Sequence, residues 1–310
     1  LYQIIFKRLK LKSPLINNFS QVNYSKIVFF VLALLIFFST AIYTSIQLLS
    51  VKGKEDYQEI NSPPLLSPFN GRVLIFLLDS TRKDSMFSEN MPYISNLREK
   101  GAWGISRVIS TPLSVAGDNA IFSGVVSGPF SFLDDFSGKP SAYDNLFKRV
   151  TLQNKRAIIF SSHCLRGAYG KYTDFSAFVP KNFLFSQYRE DAKYLFDQTY
   201  DFLKQKEWDL AAVQFITMDF IGHLETPHSP DYIPELKLLD NYVRQLVELT
   251  TDEDIVLITS EHGMDDNGFH VDRTEFVIET PLISYPEPYI KDVLSVFFFN
   301  LSIISLICSI

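Results

Sequence analysis

Four short apolar runs, each followed by polar residues, constrain the fold of this 310-residue chain more than any other feature. The runs are RVLIFLLD (72–79), RAIIFSS (156–162), DLAAVQFIT (209–217) and DIVLITS (254–260). Continuous apolar runs of this length are typical of strands that are buried on both faces of a sheet. Amphipathic helical patterns lie between them, at 189–205 and 234–250. The alternation predicts an α/β fold with a mostly parallel central sheet and helices on both faces.

A long uncharged stretch precedes this domain. Ile27 to Leu49 contains 23 residues without a charge, which is enough to cross a bilayer with about 30 Å of hydrocarbon. Residues 1–26 contain lysine and arginine but no acidic residue, so the positive-inside rule predicts that they are cytoplasmic and that the domain is extracytoplasmic. A cleaved signal peptide would have a shorter apolar region and a small-residue cleavage site. We therefore predict an uncleaved transmembrane helix over 27–49.

The remaining segments complete the predicted organisation. Residues 50–70 are polar and contain three prolines, which predicts a linker, followed by a domain over 71–290. The apolar run at 291–310 predicts a second membrane segment, cut short by the end of the sequence, with a terminal helix packed on the domain as the alternative. The net charge of −6 argues against a nucleic-acid partner. Cys164 and Cys308 lie in such different contexts that we expect no disulfide between them.

Carboxylates and histidines follow the predicted strand ends, where ligands gather in open α/β sheets. Six of these residues have side chains that bind zinc, or manganese where oxygen ligands dominate: Asp79, Asp219, His223, Glu261, His262 and His270. Gly222 is expected to permit a tight turn between Asp219 and His223. Six ligands exceed one tetrahedral site and fit two neighbouring divalent ions, an arrangement that serves in-line displacement at phosphorus.

Each of these residues also has an ordinary structural explanation. A lone histidine is usually a core or surface residue with a satisfied hydrogen bond, and an aspartate at a strand end often caps a helix. The joint occurrence of carboxylates and histidines at several strand ends favours the metal site. His163 and His228 lack such partners, so we assign them no role in metal binding.

In combination, the motifs resemble those of the alkaline phosphatase superfamily. The matching segments are LLDSTRKD (77–84), the D-x-x-G-H of ITMDFIGHLETPHSPDYIPELKLLDNYV (216–243), EHGMDDNGFH (261–270) and WGISRVISTPLSVAGDNAIFSG (103–124). They are most similar to the glycosylphosphatidylinositol ethanolamine phosphate transferases, and next to the nucleotide pyrophosphatase/phosphodiesterases. The similarity spans about residues 72–285. It implies the alkaline phosphatase-like α/β fold.

The resemblance also implies how the six ligands divide between two ions. One zinc would be held by Asp219, His223 and His270. The other would be held by Asp79, Glu261, His262 and the oxygen of the nucleophile. Glu261 stands where the family usually has aspartate, so this side chain is one methylene longer. The difference implies either that the ion is shifted or that the strand ends differently. It also implies reduced activity.

The nucleophile is a second departure from the family pattern. Pairing without gaps places Pro112, which has no hydroxyl, at the reactive position of the family's threonine. Thr111 and Ser114 are therefore the main candidates, and Ser110 is a third, less favoured one. We favour Thr111, because threonine followed by proline is a natural N-cap and N1 pair for a helix that runs to about Ser123. A nucleophile at a helix N-terminus would place the phosphoryl oxygens against free N–H groups.

Two further residues are candidates for substrate binding. Arg82 and Asp84 match the family's D-x-x-R-x-D start, and Arg82 is expected to pair with Asp84 or a neighbouring carboxylate, with contact to a phosphate as the alternative. Asn119 would donate to a phosphoryl oxygen, or else be solvated one turn into its helix.

We therefore expect a membrane-anchored, metal-dependent phosphotransferase or phosphodiesterase that forms a phosphoryl-threonine or phosphoryl-serine intermediate. The expected donor is a lipid phosphoethanolamine headgroup, and the acceptor is a glycan or glycolipid. A sulfatase is one alternative, but STPLS lacks the arginine of the sulfatase motif and three histidines do not suit calcium. An inactive membrane-bound scaffold of the same fold is the other. Periplasm, cell surface and endoplasmic reticulum lumen all fit the predicted topology.

Overall fold

The computed structural model describes residues 24–52, 71–108, 112–126, 140–141, 143–161, 163–179, 187–205 and 207–286. The chain divides into two compact units, residues 1–52 and 53–310. Several predictions fall outside the described residues: the cytoplasmic segment as far as residue 23, the linker from residue 53, the second membrane segment, Ser110, Thr111, Cys308, and the side chains of His163 and Cys164.

The first unit contains a single described helix, α1 (Tyr24–Lys52), which includes the predicted helix over 27–49. Its side chains are described for residues 30–45, and all of them are exposed, among them Phe30, Leu35 and Phe37. Over the described residues, no helix combines the length and the apolar character that a membrane crossing requires.

The second unit is built on a seven-stranded sheet with the strand order β2-β7-β6-β1-β5-β3-β4. The strands are β1 (Val73–Leu78), β2 (Ala102–Arg107), β3 (Ala157–Ser161), β4 (Phe175–Phe178), β5 (Leu210–Phe215), β6 (Ile255–Thr259) and β7 (Glu279–Tyr285). The four predicted strands are confirmed as β1, β3, β5 and β6, whereas the sequence reading did not identify β2, β4 and β7.

The sheet is mixed, and its larger part is parallel, as predicted. β1 lies between β6 and β5, parallel to both, and β3 is parallel to β5 and β4. β7 runs antiparallel to both β6 and β2, so the antiparallel pairs are confined to one side of the sheet. Because β6, β1 and β5 are adjacent and parallel, their carboxyl ends lie at one edge of the sheet.

Helices cover both faces of the sheet. They are α2 (Lys83–Met86), α3 (Pro92–Lys100), α4 (Ser114–Ser123), α5 (Leu146–Leu152), α6 (His163–Tyr169), α7 (Tyr188–Leu203), α8 (Thr217–Glu225), α9 (Tyr232–Val247) and α10 (Glu275–Ile278). The predicted helices at 189–205 and 234–250 correspond to α7 and α9.

The central strand shows why its sequence is apolar throughout. Every residue of β1 is buried, and alternate side chains point to opposite faces. Leu74 and Phe76 join a core formed with α3, α7, α8 and α9, whereas Val73 and Ile75 join a second core formed with α4, α5 and α6. Two cores on opposite sides of one sheet confirm the predicted layering of helix, sheet and helix.

Candidate metal centre

The first group of candidate ligands combines one turn of α8 with the loop that follows β6. Asp219 and His223 are four residues apart on α8, and His270 reaches them from the loop. His270 Nε2 lies 3.2 Å from His223 Nε2, and Asp219 Oδ1 lies 3.3 Å from His223 Nε2 and 3.5 Å from His270 Nε2. Tetrahedral zinc ligands bonded at about 2.0–2.1 Å are about 3.3–3.4 Å apart. The three atoms therefore have the spacing of a zinc ligand set.

The expected tight turn at Gly222 is wrong, because Asp219 to His223 form part of the helix α8. The helical spacing of four residues places both ligands on one face without a turn. Gly222 instead provides room for packing, since an added Cβ would lie 2.1 Å from Sδ of Met264. Met264 is fully buried in the core beneath the site.

The second group, Asp79, Glu261 and His262, is buried. Its possible ligand atoms lie within 4.8 Å of one another, and His262 Nε2 is 3.6 Å from Glu261 Oε1. When both carboxyls are ionised, Asp79 Oδ1 and both carboxyl oxygens of Glu261 have no hydrogen-bond donor among the described residues, and the two side chains form a hydrogen bond only if one of them keeps its proton. Buried polar atoms without partners are costly. A divalent cation bound between these oxygens would satisfy them, so this group also fits a metal.

Backbone carbonyls orient two of the imidazoles. His262 Nδ1 lies 3.0 Å from the carbonyl oxygen of Gly263, and His270 Nδ1 lies 2.8 Å from that of Pro112. A carbonyl oxygen can only accept a hydrogen bond, so a neutral ring donates its Nδ1–H. Nε2 of each ring is then left as the ligand atom, the arrangement that holds metal-binding histidines in place.

Ser80 and a pair of stacked rings join the two groups into one cluster. Ser80 Oγ donates to Asp219 Oδ1 at 2.7 Å and lies 3.1 Å from His262 Nδ1. Ser80 has a φ of 56°, a left-handed conformation that is uncommon for a residue other than glycine. The rings of His262 and His270 stack with centroids 4.1 Å apart. The sequence reading did not identify Ser80, and its position directly after Asp79 was the only signal.

Burial sets the protonation of the second group. Burial raises the pKa of Glu261 to about 8, helped by the charge of Asp118 and opposed by a hydrogen bond with Asp79. Burial and the charge of Glu261 also hold the pKa of Asp79 well above its ordinary value. Burial and the neighbouring His270 lower the pKa of His262 to about 3, so this imidazole is neutral and can act as a ligand. Without a cation these carboxyls retain protons, and a bound metal would replace them.

The helix that follows the predicted nucleophile starts later than expected. Its N-cap is Leu113, so the prediction of Thr111 as N-cap and Pro112 as N1 is wrong. The carbonyl of Pro112 is instead engaged by His270. Ser114 is the first residue of α4, and its Oγ lies 3.3 Å from His262 Nε2. Thr111 lies outside the described residues, and Ser114 is the candidate hydroxyl that the structure places beside a ligand.

Arg82 has the structural role that the sequence favours. Its buried guanidinium donates to both carboxyl oxygens of Asp84 and, at 2.6 Å, to Asp266, and it lies over the ring of Phe276. His228 contacts the same Asp266 and belongs to neither ligand group. Arg82 therefore connects the start of α2 to the loop between His262 and His270.

Asn119 is buried, so the expectation that it is solvated is wrong. Its Oδ1 accepts a hydrogen bond of 2.6 Å from the hydroxyl of Tyr169. The contact connects α4 to α6, so the side-chain oxygen of Asn119 has a structural role.

Comparison with known proteins shows what this sequence and this fold are similar to. A model of the type I phosphodiesterase / nucleotide pyrophosphatase family matches residues 144–293. Human GPI ethanolamine phosphate transferase 2, catalytic subunit, is 24% identical over 235 residues, which cover 71% of this chain and 23% of the human protein. A TAB5 alkaline phosphatase variant with bound magnesium has a TM-score of 0.55, at 11% identity, over 78% of this chain and 98% of that chain. The lipoteichoic acid synthase LtaP from Listeria monocytogenes has a TM-score of 0.52, at 10% identity, over 72% and 67%.

These matches confirm the predicted resemblance to the alkaline phosphatase superfamily, with transferases and phosphodiesterases among the relatives. The relatives are named as ethanolamine phosphate transferases and the family model as a phosphodiesterase, in agreement with the predicted enzyme class. The chain spans about a quarter of the length of the human transferase.

Proposed function

We propose that this protein is a membrane-anchored, metal-dependent phosphotransferase or phosphodiesterase that forms a covalent phosphoryl intermediate on Ser114. One observation carries the proposal: the hydroxyl of Ser114 lies beside a ligand of the second group, and that ligand stacks on a ligand of the first group. Ser114 Oγ is 3.3 Å from His262 of the second group, and the ring of His262 stacks on His270 of the first.

Asp219, His223 and His270 would hold one divalent cation, and Asp79, Glu261 and His262 the other. The two imidazoles and the spacing of the first group support zinc. The second group is richer in oxygen and would also accept manganese. When bound, such cations lower the pKa of a nearby hydroxyl and offset the charge of phosphoryl oxygens.

Ser114 Oγ attacks the phosphorus atom of a phosphodiester. The new Oγ–P bond forms as the P–O bond to the leaving alcohol breaks, the Ser114 proton passes to solvent, and the departing alkoxide takes a proton from solvent. The free N–H groups in the first turn of α4 bind the phosphoryl oxygens as negative charge develops there. A second alcohol, or water, then attacks the phosphorus and releases Ser114.

The substrate class is proposed from the relatives. The names of the transferases support phosphoethanolamine as the transferred group and a glycolipid or glycan as the acceptor. The uncharged stretch over 27–49, helical within α1 and apolar, supports an anchor that keeps the domain near lipid, with the N-terminus cytoplasmic. We place the domain outside the cytoplasm on this basis.

The test is to trap the intermediate on the full chain purified in detergent. We expect zinc-loaded protein to hydrolyse bis-(p-nitrophenyl) phosphate, and mass spectrometry after acid quenching to find a nitrophenyl phosphoryl adduct on the peptide containing Ser114. Ser114→Ala should abolish both the adduct and turnover, whereas Thr111→Ala should retain them. Loss in Thr111→Ala alone would return the nucleophile to the residue that the sequence favours.

Two outcomes would contradict the proposed chemistry. Turnover of p-nitrophenyl sulfate in preference to the phosphodiester would indicate a sulfatase. Protein that folds but binds no divalent metal would indicate a scaffold.

A further inference from the structure

We propose that Arg273 is a positioning residue, which together with His270 holds the main chain that leads from β2 to Ser114. The inference rests on the proposed function and deepens it. It gives a role to a residue outside both ligand groups, and it explains how the hydroxyl of Ser114 is kept beside the metal centre.

The first contact fixes the direction in which the chain leaves the sheet. Val108 follows the last residue of β2, and its side chain is buried with those of Val277 and Ile278. The N–H of Val108 donates to the carbonyl oxygen of Ile278 at 2.8 Å, and its carbonyl oxygen accepts a hydrogen bond of 2.9 Å from Nη2 of Arg273. Because the peptide unit is planar, the position of this oxygen fixes the next peptide plane and the course of the chain beyond the strand.

The second contact lies two residues before the proposed nucleophile. Nδ1 of His270 lies 2.8 Å from the carbonyl oxygen of Pro112, while the ring belongs to the first ligand group. Leu113 is the N-cap of α4, and Ser114 is the first residue of this helix. A displacement of Pro112 would therefore move the Ser114 hydroxyl relative to His262 Nε2, which is 3.3 Å away.

Both contacts come from one short segment, residues 270–273. The main chain at the end of this segment is itself held, because Oδ1 of Asp272 accepts hydrogen bonds from the N–H of Thr274 at 3.2 Å and from its hydroxyl at 3.0 Å. Thr274 is also the N-cap of α10. The proposed nucleophile is therefore connected directly to the loop that carries a ligand of the first group.

The position of Arg273 makes its role separable from metal binding. Its side chain is exposed, and it belongs to neither ligand group. Truncation of this side chain removes a donor to the Val108 carbonyl and leaves all six candidate ligands in place. Misplacement of a reacting group slows the chemical step, whereas loss of a contact that binds the substrate raises the substrate concentration needed for half saturation.

The first experiment measures adduct formation on Ser114 by rapid acid quenching of the full-length, zinc-loaded protein with bis-(p-nitrophenyl) phosphate. In Arg273→Ala we expect the limiting rate to fall about tenfold, with the half-saturating substrate concentration and the two zinc equivalents unchanged. Arg273→Lys keeps a donor on a long side chain and should recover most of the rate. Arg244→Ala is the matched control and should equal the wild type, because Arg244 donates hydrogen bonds near the end of α9 and belongs to neither ligand group.

Hydrogen exchange followed by mass spectrometry tests the contact without depending on the reaction. In Arg273→Ala the peptide that spans residues 108–117 should exchange faster than in the wild type, whereas β1 should be unchanged. Arg273→Met keeps the apolar part of the side chain without its donors, so it provides the same comparison if Arg273→Ala does not fold.

Three results would overturn the inference. They are an unchanged rate of adduct formation in Arg273→Ala, a raised half-saturating concentration with an unchanged limiting rate, and faster exchange in β1 as well as in residues 108–117. The second result would show that Arg273 binds the substrate, and the third that it stabilises the domain as a whole.

The readouts separate this inference from the proposed function. A wild type that binds no zinc, or that forms no adduct on Ser114, contradicts the proposed function itself. A wild type that binds two equivalents and forms the adduct, while Arg273→Ala forms it equally fast, contradicts only the role of Arg273.

Discussion

Replacing Glu261 by glutamine is expected to stabilise the metal-free protein and to weaken metal binding at the same time. The pKa of Glu261 is raised from 4.5 to about 8, with burial as the main cause. The folded state therefore binds more protons than the unfolded state between these values, and the free energy of unfolding falls as the pH rises through this window. Glutamine is neutral and nearly isosteric, so the variant lacks this loss.

The size of the effect follows from the same pKa. Each unit between the unfolded pKa of 4.5 and pH 7 corresponds to about 1.4 kcal/mol, so ionisation in the unfolded state costs the wild type about 3 kcal/mol at pH 7. We expect metal-free Glu261→Gln to exceed the wild type in stability by up to about 3 kcal/mol at pH 7, and by close to zero near pH 4.5. Saturating zinc should reverse the order, because the cation binds the charged carboxylate and replaces its proton.

The assay is urea unfolding of chelator-treated protein at several pH values between 4.5 and 8, repeated with excess zinc. Calorimetry in buffers of different ionisation enthalpy should show that zinc binding to the wild type releases protons at pH 7 and that this release is smaller in the variant. A variant that is less stable than the wild type at pH 7 without metal would refute the reasoning. So would a variant that gains as much stability from zinc as the wild type does.

Two further predictions concern contacts around the site. Ser80→Ala removes the hydroxyl that donates to Asp219 at 2.7 Å. Zinc affinity at the group containing Asp219 should therefore fall about tenfold in calorimetry, while the far-ultraviolet circular dichroism is retained. Undiminished affinity would show that Ser80 does not orient Asp219. Asp254→Asn should lower the free energy of unfolding by about 2–3 kcal/mol in urea titrations. The reason is that this buried carboxylate accepts hydrogen bonds from the main chain and guanidinium of Arg72 and from the main chain of Thr251. Zinc binding should not change. Although burial by itself raises the pKa of Asp254, these hydrogen bonds bring the pKa below its ordinary value. The contribution of Asp254 to the free energy of unfolding is therefore present above pH 3.8 and is lost as the pH falls below that value. Equal stability of variant and wild type at pH 7 would contradict this prediction.

The parts of the fold that could be predicted are those with an uninterrupted apolar signal. β1, β3, β5 and β6 are buried on both faces, which requires continuous runs such as VLIFLL. β2 has one buried residue, at its start, and then alternates between exposed and half-buried positions, and β4 is four residues long, so neither produces such a run. β7 is mostly buried but contains Pro281, which argues against a strand when the sequence is read alone.

The candidate site was predictable where it depends on residue types at strand ends, and less so where it depends on packing. Asp79, Asp219 and Glu261 could be brought together because parallel strands share an edge. The start of α4 at Ser114 could not be predicted, because Thr111 and Pro112 have the residue types of a helix start and the contact of Pro112 with His270 joins residues distant in sequence. The close approach of Gly117 to Glu261 likewise joins two residues that are distant in sequence, so it could not be predicted.

The proposed mechanism requires two divalent cations bound side by side, next to the hydroxyl of Ser114. Anomalous diffraction at the zinc edge, from crystals of the chain grown with zinc, tests this most directly. We expect two peaks, one within about 2.0–2.2 Å of the ligand atoms of Asp219, His223 and His270, and the other at the same distance from the oxygen and nitrogen atoms of Asp79, Glu261 and His262. A single peak, no peak at either group, or two occupied groups with Ser114 turned away from both would contradict it.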